Sequence, residues 1–509
     1  MRNKNPFLFT VLLCLLAIGS QAQPGFRVQG FHLDLRIQVM KMPALMTFAK
    51  QLSEHGINTI VMEWEAAYPY EKHAVISNHY AYKREEITAF VKYCTSLGID
   101  VIPLQQSFGH VEYILRHPRY KDLREDQKDY SQVNPIREEQ CKALFTDLYK
   151  DLITTHTSKY IHIGGDETYL LGHSEESKKK VAEVGKGRLY GDYIKMLCNT
   201  VVSLGKVPVI WADIALKYPD ALQGLPPQTI FIDWNYGWDL DRFGDHEKLM
   251  KSGFEIWGSP AIRSAQDNYF LTDWEKHFNN IRTFIPQARK LGYKGMIMTS
   301  WSTSGIYSPV FETHADIEDL YAIRRVYPIS GFDLLVKAFF ESLKTEGALP
   351  VQSFIASYCK TQFGFDEQTA AVFWNAIKRA PYEVVQGKVN KAGISIAALL
   401  DSARQTAATL RSIQPVKNKA MFEHYLLMSD IRVFYLTCTQ VEAQLNDISY
   451  TRAQAPVLLR TLQQLQPAAL DKRFAQLNGV LLYDSEIATE NALRNARWRQ
   501  LVNKLGHHQ

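Results

Sequence analysis

The stretch Ser203-Leu-Gly-Lys-Val-Pro-Val-Ile-Trp211 joins the end of a helical pattern to a short apolar strand. A glycine just past a helix, here Gly205, supplies the left-handed conformation with which many helices end. The strand that follows is apolar at nearly every position, as expected in a parallel sheet that is covered on both faces. The stretch therefore predicts one helix–strand unit of an α/β protein.

The same unit recurs between residues 28 and 327. Four more segments combine a helix end, a glycine and a strand: Ser53-Glu-His-Gly56 before Asn58–Val61, Ser96-Leu-Gly98 before Asp100–Ile102, Lys251-Ser-Gly253 before Glu255–Trp257, and Lys290-Leu-Gly292 before Gly295–Met298. Three further apolar strands are Gly30–Leu35, Tyr160–Ile163 and Thr229–Trp234. Eight strands that alternate with helices over about 300 residues are typical of a (β/α)8 barrel rather than an open doubly wound sheet. We therefore predict an α/β fold with a (β/α)8 TIM barrel at residues 23–345.

The pattern changes after about residue 345. Helical periodicity is clear in Ala397–Ile413, Phe422–Leu445 and Asp484–Leu505, and strand signals are few. We predict an all-helical C-terminal region at residues 346–509 that packs on the barrel. We interpret it as a supporting region rather than as a second active site.

The first residues have the features of a cleaved signal peptide. Arg2 and Lys4 precede an apolar segment from Phe7 to Gly19, and Ser20-Gln21-Ala22 is a small-residue cleavage pattern. The apolar segment is too short to cross a membrane comfortably. Because the bulky Leu13 before Cys14 does not fit a lipid-attachment motif, we expect export without a lipid anchor. The prediction is a signal peptide at residues 1–22, no integral membrane segment after cleavage, and a periplasmic or extracellular location.

Composition excludes several classes of function. The chain has 509 residues, 46% of them hydrophobic, and a formal net charge of +5 without a basic run, so no nucleic-acid partner is expected. The cysteines outside the signal peptide form no CxxC pair or Cys/His cluster, so neither a metal nor a cofactor is expected: Cys94, Cys141, Cys198, Cys359 and Cys438. Their odd number excludes complete pairing, while a single disulfide stays open. The first three lie in predicted helices.

Polar and aromatic residues gather where the predicted strands end, which is the end of a barrel that carries functional residues. These strand ends are Asp34-Leu-Arg36, Glu63-Trp-Glu65, Gly109-His110, Asp166-Glu167, Trp211-Ala-Asp213, Asp233-Trp-Asn-Tyr236, Trp257 and Trp301. Carboxylates beside tryptophans suit a sugar, because the apolar face of a pyranose stacks on indole while carboxylates bind hydroxyls or protonate the glycosidic oxygen. We predict an aromatic wall formed by five tryptophans: Trp64, Trp211, Trp234, Trp257 and Trp301.

The fourth strand leads directly into His162-Ile-Gly-Gly-Asp-Glu-Thr168. Glycine allows an unusual turn or a close approach to a ligand. Two adjacent carboxyl groups repel each other, so their pKa values separate and the pair can serve as one acid and one anion. We predict that Asp166 and Glu167 are a catalytic acid pair.

The segment His162–Glu167 resembles the H-x-G-G-D-E signature of the family-20 glycoside hydrolases, the β-N-acetylhexosaminidases. Other segments resemble the family in order and spacing: Gly30-Phe-His-Leu-Asp-Leu-Arg36, Tyr68-Pro-Tyr70, Ser107-Phe-Gly-His110, Leu123-Arg-Glu125 with Asn134-Pro135, and Trp211-Ala-Asp213. The resemblance covers about residues 28–330 and is strongest to the short hexosaminidase D type. The third strand departs from the family's P-E-I-D-x-P-G-H, because the chain has Pro103-Leu-Gln-Gln-Ser-Phe-Gly-His110.

The resemblance implies an exo-acting, retaining β-N-acetylhexosaminidase that uses substrate-assisted catalysis. Glu167 would be the general acid and later the general base. Asp166 would orient the substrate's 2-acetamido group, whose carbonyl oxygen is the nucleophile and forms an oxazolinium intermediate. Tyr236 would donate a hydrogen bond to the acetamido oxygen. Three tryptophans would enclose the acetamido methyl and the sugar face: Trp211, Trp234 and Trp301.

The resemblance assigns further residues around this pair. Arg36 and Asp213 would bind sugar hydroxyls, although a salt bridge at the rim is an equal interpretation for Arg36. His110 would pair with Glu65 and hold Glu167, or would be a structural histidine. His162 lies inside the strand and is interpreted as a packing residue that supports the pair.

Three other functions compete with this prediction. A Gly-Gly-Asp-Glu sequence also occurs in diguanylate cyclases, but here Thr168 follows instead of an aromatic residue, and a barrel surrounds the motif. A barrel that binds amino sugars without turnover stays open, as does an endo-acting acetamido-sugar hydrolase. The expected substrate is a glycan with a terminal N-acetylglucosamine or N-acetylgalactosamine, and the sequence does not choose between the two sugars.

Overall fold

The computed structural model describes residues 25–264, 267–302 and 325–507. The signal peptide predicted at residues 1–22 lies outside these ranges and stays a prediction. No helix within the described ranges combines the length and the apolar character that a membrane span requires. The five cysteines in these ranges are buried and none is in a disulfide.

In the described ranges, nine parallel strands form the sheet of a closed barrel. They are β1 (Val28–Asp34), β2 (Thr59–Glu63), β3 (Asp100–Leu104), β4 (Tyr160–His162), β5 (Val207–Trp211), β6 (Ile230–Trp234), β7 (Glu255–Ser259), β8 (Ala261–Arg263) and β9 (Gly295–Ser300). Strands β1 to β7 lie side by side in chain order, β9 follows β7, and β9 pairs with β1 to close the ring. The predicted (β/α)8 barrel and its eight strands are confirmed.

Strand β8 continues β7 and was not predicted. Pro260 separates the two strands, and a proline has no N–H to give to the ladder. Its carbonyl still accepts the N–H of Thr299 at 2.8 Å, and β8 pairs with the end of β9. Together, β7 and β8 therefore extend the seventh strand position of the barrel as far as Arg263.

Helices alternate with the strands and cover the barrel. They are α1 (Met42–Glu54), α2 (Arg84–Ser96), α3 (Glu112–Leu115), α4 (Glu138–Ile153), α5 (Glu175–Val184), α6 (Lys186–Ser203), α7 (Asp213–Lys217), α8 (His246–Lys251) and α9 (Trp274–Lys290). The five glycines predicted to end helices all have φ between +74° and +84°: Gly56, Gly98, Gly205, Gly253 and Gly292. The left-handed glycine from which the repeat was predicted is therefore the residue that ends each of these helices.

The C-terminal region is helical, as predicted. Its helices are α10 (Asp333–Lys344), α11 (Val351–Phe363), α12 (Glu367–Ile377), α13 (Ile396–Ser412), α14 (Lys419–Leu445), α15 (Ala455–Gln463), α16 (Pro467–Asn478) and α17 (Asp484–Gly506). A two-stranded hairpin, β10 (Val384–Val385) and β11 (Lys388–Val389), was not predicted. The region packs on α9 through aromatic rings, with Phe278 5.3 Å from Phe354 and Trp274 5.4 Å from Tyr425.

Two of the five predicted wall tryptophans lie away from the mouth of the barrel. Trp64 packs outside the sheet, where its Nε1 donates to His156 Nε2 at 3.0 Å, because side chains alternate along a strand and Glu63 takes the inner position. Trp257 lies in the barrel interior against Tyr160, at a ring distance of 5.6 Å. Tyr160 begins β4, so Trp257 fills the amino-terminal end of the barrel. The prediction of an aromatic wall is wrong for these two residues.

Candidate active site

The turn after β4 brings the acid pair to the mouth of the barrel. Gly164 and Gly165 have φ of +73° and +94°, and Glu167 has φ of +47°, a conformation that costs a non-glycine residue about 1 kcal/mol or more. Three contacts hold the turn. Tyr190 Oη donates to Gly165 O at 2.8 Å, Trp211 N donates to Gly164 O at 3.1 Å, and Glu167 N donates to Asp213 Oδ2 at 3.1 Å.

Replacing Gly164 with alanine is expected to destabilise the protein more than replacing Gly98 with alanine. The two φ values, +73° and +75°, are nearly equal, so both variants carry a similar backbone strain of about 1–3 kcal/mol. A Cβ at Gly164 would also lie 1.9 Å from Gln106 Oε1 and 3.3 Å from its Cα, whereas one at Gly98 would meet nothing within 4 Å. Thermal unfolding of both variants measures the difference. Equal melting temperatures would show that Gln106 moves aside freely.

One histidine bridges the acid pair. His110 Nε2 lies 3.4 Å from Asp166 Oδ2 and 3.3 Å from Glu167 Oε2. Burial alone would lower the pKa of His110, but the charges of both carboxylates and their hydrogen bonds raise that pKa well above its ordinary value. His110 therefore contacts Glu167 directly, and its pairing with Glu65, whose carboxylate lies near Arg36, stays a prediction.

Glu167 is the more accessible member of the pair. Its side chain is 30% exposed, against 8% for Asp166. Burial alone would raise the pKa of Glu167, but the hydrogen bond and charge of His110, a hydrogen bond from Tyr169 and the charge of Arg36 together lower it. The Tyr169 hydroxyl donates to Glu167 Oε1 at 2.9 Å. Tyr169 was not predicted, because no sequence pattern indicates that the residue two positions after Glu167 contacts it.

The buried polar atoms without a hydrogen-bond partner among the described residues include one on the acid pair and one on the aromatic side of the site. These two are Asp166 Oδ1 and Trp211 Nε1. A buried polar group without a partner costs about 1–3 kcal/mol, so a ligand that binds both atoms would be stabilised by them. One accepts and the other donates, which suits a ligand that carries both an N–H and an oxygen.

Arg36 lies among three carboxylates at the ends of β1 and β2. Its Nη2 donates to Glu63 Oε1 at 2.8 Å and its Nε to Asp34 Oδ1 at 3.1 Å, and Glu65 Oε1 lies 3.6 Å from Nε. Burial would raise the pKa of Glu63, but the charge of Arg36 and the hydrogen bond from His32 lower it strongly. The Arg36 side chain is only 2% exposed. The structure places Arg36 in ion pairs with Asp34 and Glu63, which the sequence did not predict as its partners, and its contact with a sugar hydroxyl stays a prediction.

The aromatic side of the site is built by β5, β6 and β9. The rings of Trp211 and Trp301 lie 5.9 Å apart, and those of Trp234 and Tyr236 lie 5.1 Å apart. Trp301 Nε1 donates to Tyr236 Oη at 2.8 Å. A hydroxyl has one hydrogen and two acceptor positions, so Tyr236 can accept this bond and still donate its own hydrogen to a ligand.

The same aromatic cluster extends to a residue that the sequence analysis missed. Trp238 lies 5.4 Å from Trp234 and 5.3 Å from Tyr236, and the guanidinium of Arg242 lies 4.5 Å from its ring. The alternation of aromatic residues at positions 234, 236 and 238 was the available signal. Trp238 is half-buried, so part of its ring is open to solvent.

Asp213 and His162 support the pair from behind. Asp213 is 3% exposed, and its second oxygen accepts from Trp234 Nε1 at 3.3 Å. Burial and the charge of Asp166 raise the pKa of Asp213 above its ordinary value. His162 is fully buried with its ring 4.5 Å from that of Trp211, and burial lowers its pKa to about 3. His162 is therefore neutral and packs beneath the site.

Residues 29–311 match the family model described as glycosyl hydrolase family 20, catalytic domain. Hexosaminidase D of Bos taurus is 30% identical over 298 residues, which cover 55% of this chain and 86% of that protein. Hexosaminidase D of Homo sapiens is 28% identical over 336 residues, covering 62% of this chain and 69% of that protein. The crystal structure of β-N-acetylhexosaminidase from Bacteroides fragilis aligns with a TM-score of 0.50 at 13% identity, over 66% of this chain and 70% of that one, which shows a shared fold.

Proposed function

The chain belongs to glycosyl hydrolase family 20 and is a β-N-acetylhexosaminidase, and we propose that it is an exo-acting, retaining enzyme that uses substrate-assisted catalysis. The proposed substrate is a glycan with a terminal N-acetylglucosamine or N-acetylgalactosamine. The observation that carries the proposal is the pair Asp166 and Glu167, bridged by His110 beside the aromatic end of the barrel.

The reaction has two steps. In the first, Glu167 gives its proton to the glycosidic oxygen while the acetamido carbonyl oxygen of the substrate attacks C1, so the bond to the leaving group breaks and an oxazolinium ion forms. In the second, the Glu167 carboxylate takes a proton from a water molecule, which attacks C1 and opens the five-membered ring. Each step inverts C1, so the product keeps the β configuration. Proton transfer by a placed side chain contributes typically about 10²–10⁴-fold to such a reaction.

Glu167 needs a proton at the start of this cycle, although its pKa in the free enzyme lies below the ordinary value. Its side chain is 30% exposed, and a sugar stacked in the site would cover it. Removing a carboxyl group from water disfavours its charged form and raises its pKa. Substrate binding therefore moves Glu167 toward the protonated state that the first step requires.

Asp166 and Tyr236 would hold the N–H and the oxygen of the acetamido group. The unpartnered Asp166 Oδ1 would accept the acetamido N–H, and its charge would stabilise the positive charge that develops on the nitrogen. Tyr236, whose oxygen already accepts from Trp301 Nε1, would donate to the acetamido oxygen. Trp211, Trp234 and Trp301 would enclose the methyl group and the sugar face. Holding the nucleophile in this way replaces an encounter between molecules with a unimolecular step.

Hydrolysis of 4-nitrophenyl N-acetyl-β-glucosaminide and N-acetyl-β-galactosaminide tests the proposal, with 4-nitrophenyl β-glucoside as the matched control. We expect turnover of at least one acetamido substrate and none of the glucoside, which lacks the nucleophile. The faster of the two would also give the preference at C4. A protein that binds N-acetylhexosamines without hydrolysing either substrate would instead be an amino-sugar-binding barrel. Release of internal fragments from a chito-oligosaccharide would favour an endo-acting enzyme.

A further inference from the structure

The loop between β1 and α1, residues 35–41, connects the ion pairs of the site to the C-terminal region. Arg36 stands at one end of this loop. At the other end, Lys41 N donates to Leu481 O and Lys41 Nζ to Gly479 O, both at 2.7 Å. Met40 and Leu482 form an antiparallel bridge. The loop therefore docks on the segment that leads into α17.

Helix α17 adds a side-chain contact in the middle of this loop. Glu486, in the first turn of α17, accepts the N–H of Val39 through Oε2 at 3.2 Å. Glu486 is 1% exposed and Val39 is fully buried. A carboxylate taken out of water must be compensated by hydrogen bonds or charges, and Tyr80 and Arg325 also interact with Glu486. Among these contacts, the one with the Val39 N–H ties the position of α17 to that of the loop. The two residues are 447 positions apart in the chain.

The barrel holds the other side of the same loop. Gln38 has φ of +56°, its Nε2 donates to Val326 O at 2.6 Å, and its Oε1 accepts from Arg263 Nη1 at 3.1 Å. Arg263 Nε donates in turn to Ser300 Oγ at 2.8 Å, at the end of β9. The loop is thus fixed between the strand ends of the barrel and helix α17.

The 35–41 loop is connected to the reacting groups through Arg36. Asp34 Oδ1 accepts both the backbone N–H of Arg36 and its Nε, and Asp34 Oδ2 accepts the N–H of Ser302, next to Trp301. The Arg36 guanidinium lies 5.5 Å from the Trp301 ring. A shift of the 35–41 loop would therefore move the charge of Arg36 and the ring of Trp301 together.

We infer that Glu486 is a positioning residue for catalysis: by holding the N–H of Val39 it fixes the 35–41 loop, and with it Arg36 and Trp301. The inference rests on the proposed function for its effect on turnover. It gives the C-terminal helical region a role in the active site beyond covering the barrel.

The test compares Glu486→Ala with Glu486→Gln, whose amide oxygen can still accept the Val39 N–H, and with Asp484→Ala, an exposed carboxylate on the same helix. Activity on the faster 4-nitrophenyl substrate is measured well below each melting temperature, with the folded fraction followed by circular dichroism. Because a misplacement of about 1 Å can reduce a rate 10²-fold, we expect kcat/KM of Glu486→Ala to fall about tenfold or more. Glu486→Gln should retain most of the activity, and Asp484→Ala all of it.

Hydrogen exchange supplies a readout that does not depend on turnover. The amides of residues 35–41 should exchange faster in Glu486→Ala than in the wild type, and at the wild-type rate in Asp484→Ala. A lower melting temperature with unchanged kcat/KM and unchanged loop exchange would overturn the inference and leave Glu486 a purely structural residue. An inactive wild type would count against the proposed function, whereas unchanged exchange of the loop would count against the positioning role alone.

Discussion

Replacing Glu167 with glutamine is expected to reduce kcat by about 10²–10⁴-fold on a substrate whose leaving group is a second sugar. A sugar alkoxide is a poor leaving group, so the glycosidic oxygen needs a proton as the bond breaks. Glutamine keeps the size of Glu167 and a possible contact with the Tyr169 hydroxyl, which donates to Glu167 Oε1 at 2.9 Å, but it has no acidic proton. Initial rates on chitobiose measure the loss.

Substrates with different leaving groups distinguish the two roles of Glu167, as general acid in the first step and as general base in the second. 4-Nitrophenolate departs without a proton, so the first step of that substrate should suffer less than that of chitobiose. Azide attacks without a general base, so it should restore turnover of the 4-nitrophenyl substrate by Glu167→Gln and should not accelerate the wild type. Glu175→Gln, an exposed carboxylate on α5, is the matched control and should behave as the wild type. Full activity of Glu167→Gln on chitobiose would refute the assignment of the acid.

The barrel was predictable because its signals are local. Each helix that ends at Gly56, Gly98, Gly205, Gly253 or Gly292 does so through a glycine with positive φ, and that preference is a property of one residue. A run of apolar residues after the glycine is enough to indicate a strand buried on both faces. Five such units together with three further apolar strands leave few alternatives to a closed ring.

The site was predictable only in part, because side-chain direction is set by packing. Trp64 and Trp257 looked like wall residues, but a shift of one position along a strand turns a side chain to the other face of the sheet. For Arg36 the sequence left a sugar contact and a salt bridge equally open, and only folding brings Asp34 and Glu63 into contact with it. The contact of Glu486 with Val39 joins distant parts of the chain, and no local pattern records it.

Replacing Asp166 with asparagine is expected to reduce kcat by about 10²–10³-fold on N-acetylated substrates, the effect typical of removing one group that stabilises a developing charge. The amide has no negative charge for the nitrogen of the oxazolinium ion and can present an N–H where the substrate also has one. It also removes one of the two carboxylates that hold His110, 3.4 Å from Asp166 Oδ2. Asp192→Asn, at a half-buried position on α6 whose side chain is 46% exposed, is the matched control.

Fluorination of the substrate's acetyl group shows whether Asp166 acts on the nucleophile. Fluorine withdraws electrons from the carbonyl oxygen, so each added fluorine should slow the wild type if that oxygen attacks C1. In Asp166→Asn the acetamido group is held less firmly, so attack by its oxygen on C1 should contribute less to the rate. The rate of this variant should therefore depend less steeply on the number of fluorine atoms. A wild-type rate that does not change with the number of fluorine atoms would rule out the acetamido nucleophile. A steep dependence that is equal in both proteins would keep that nucleophile and remove Asp166 from the step that forms the ring.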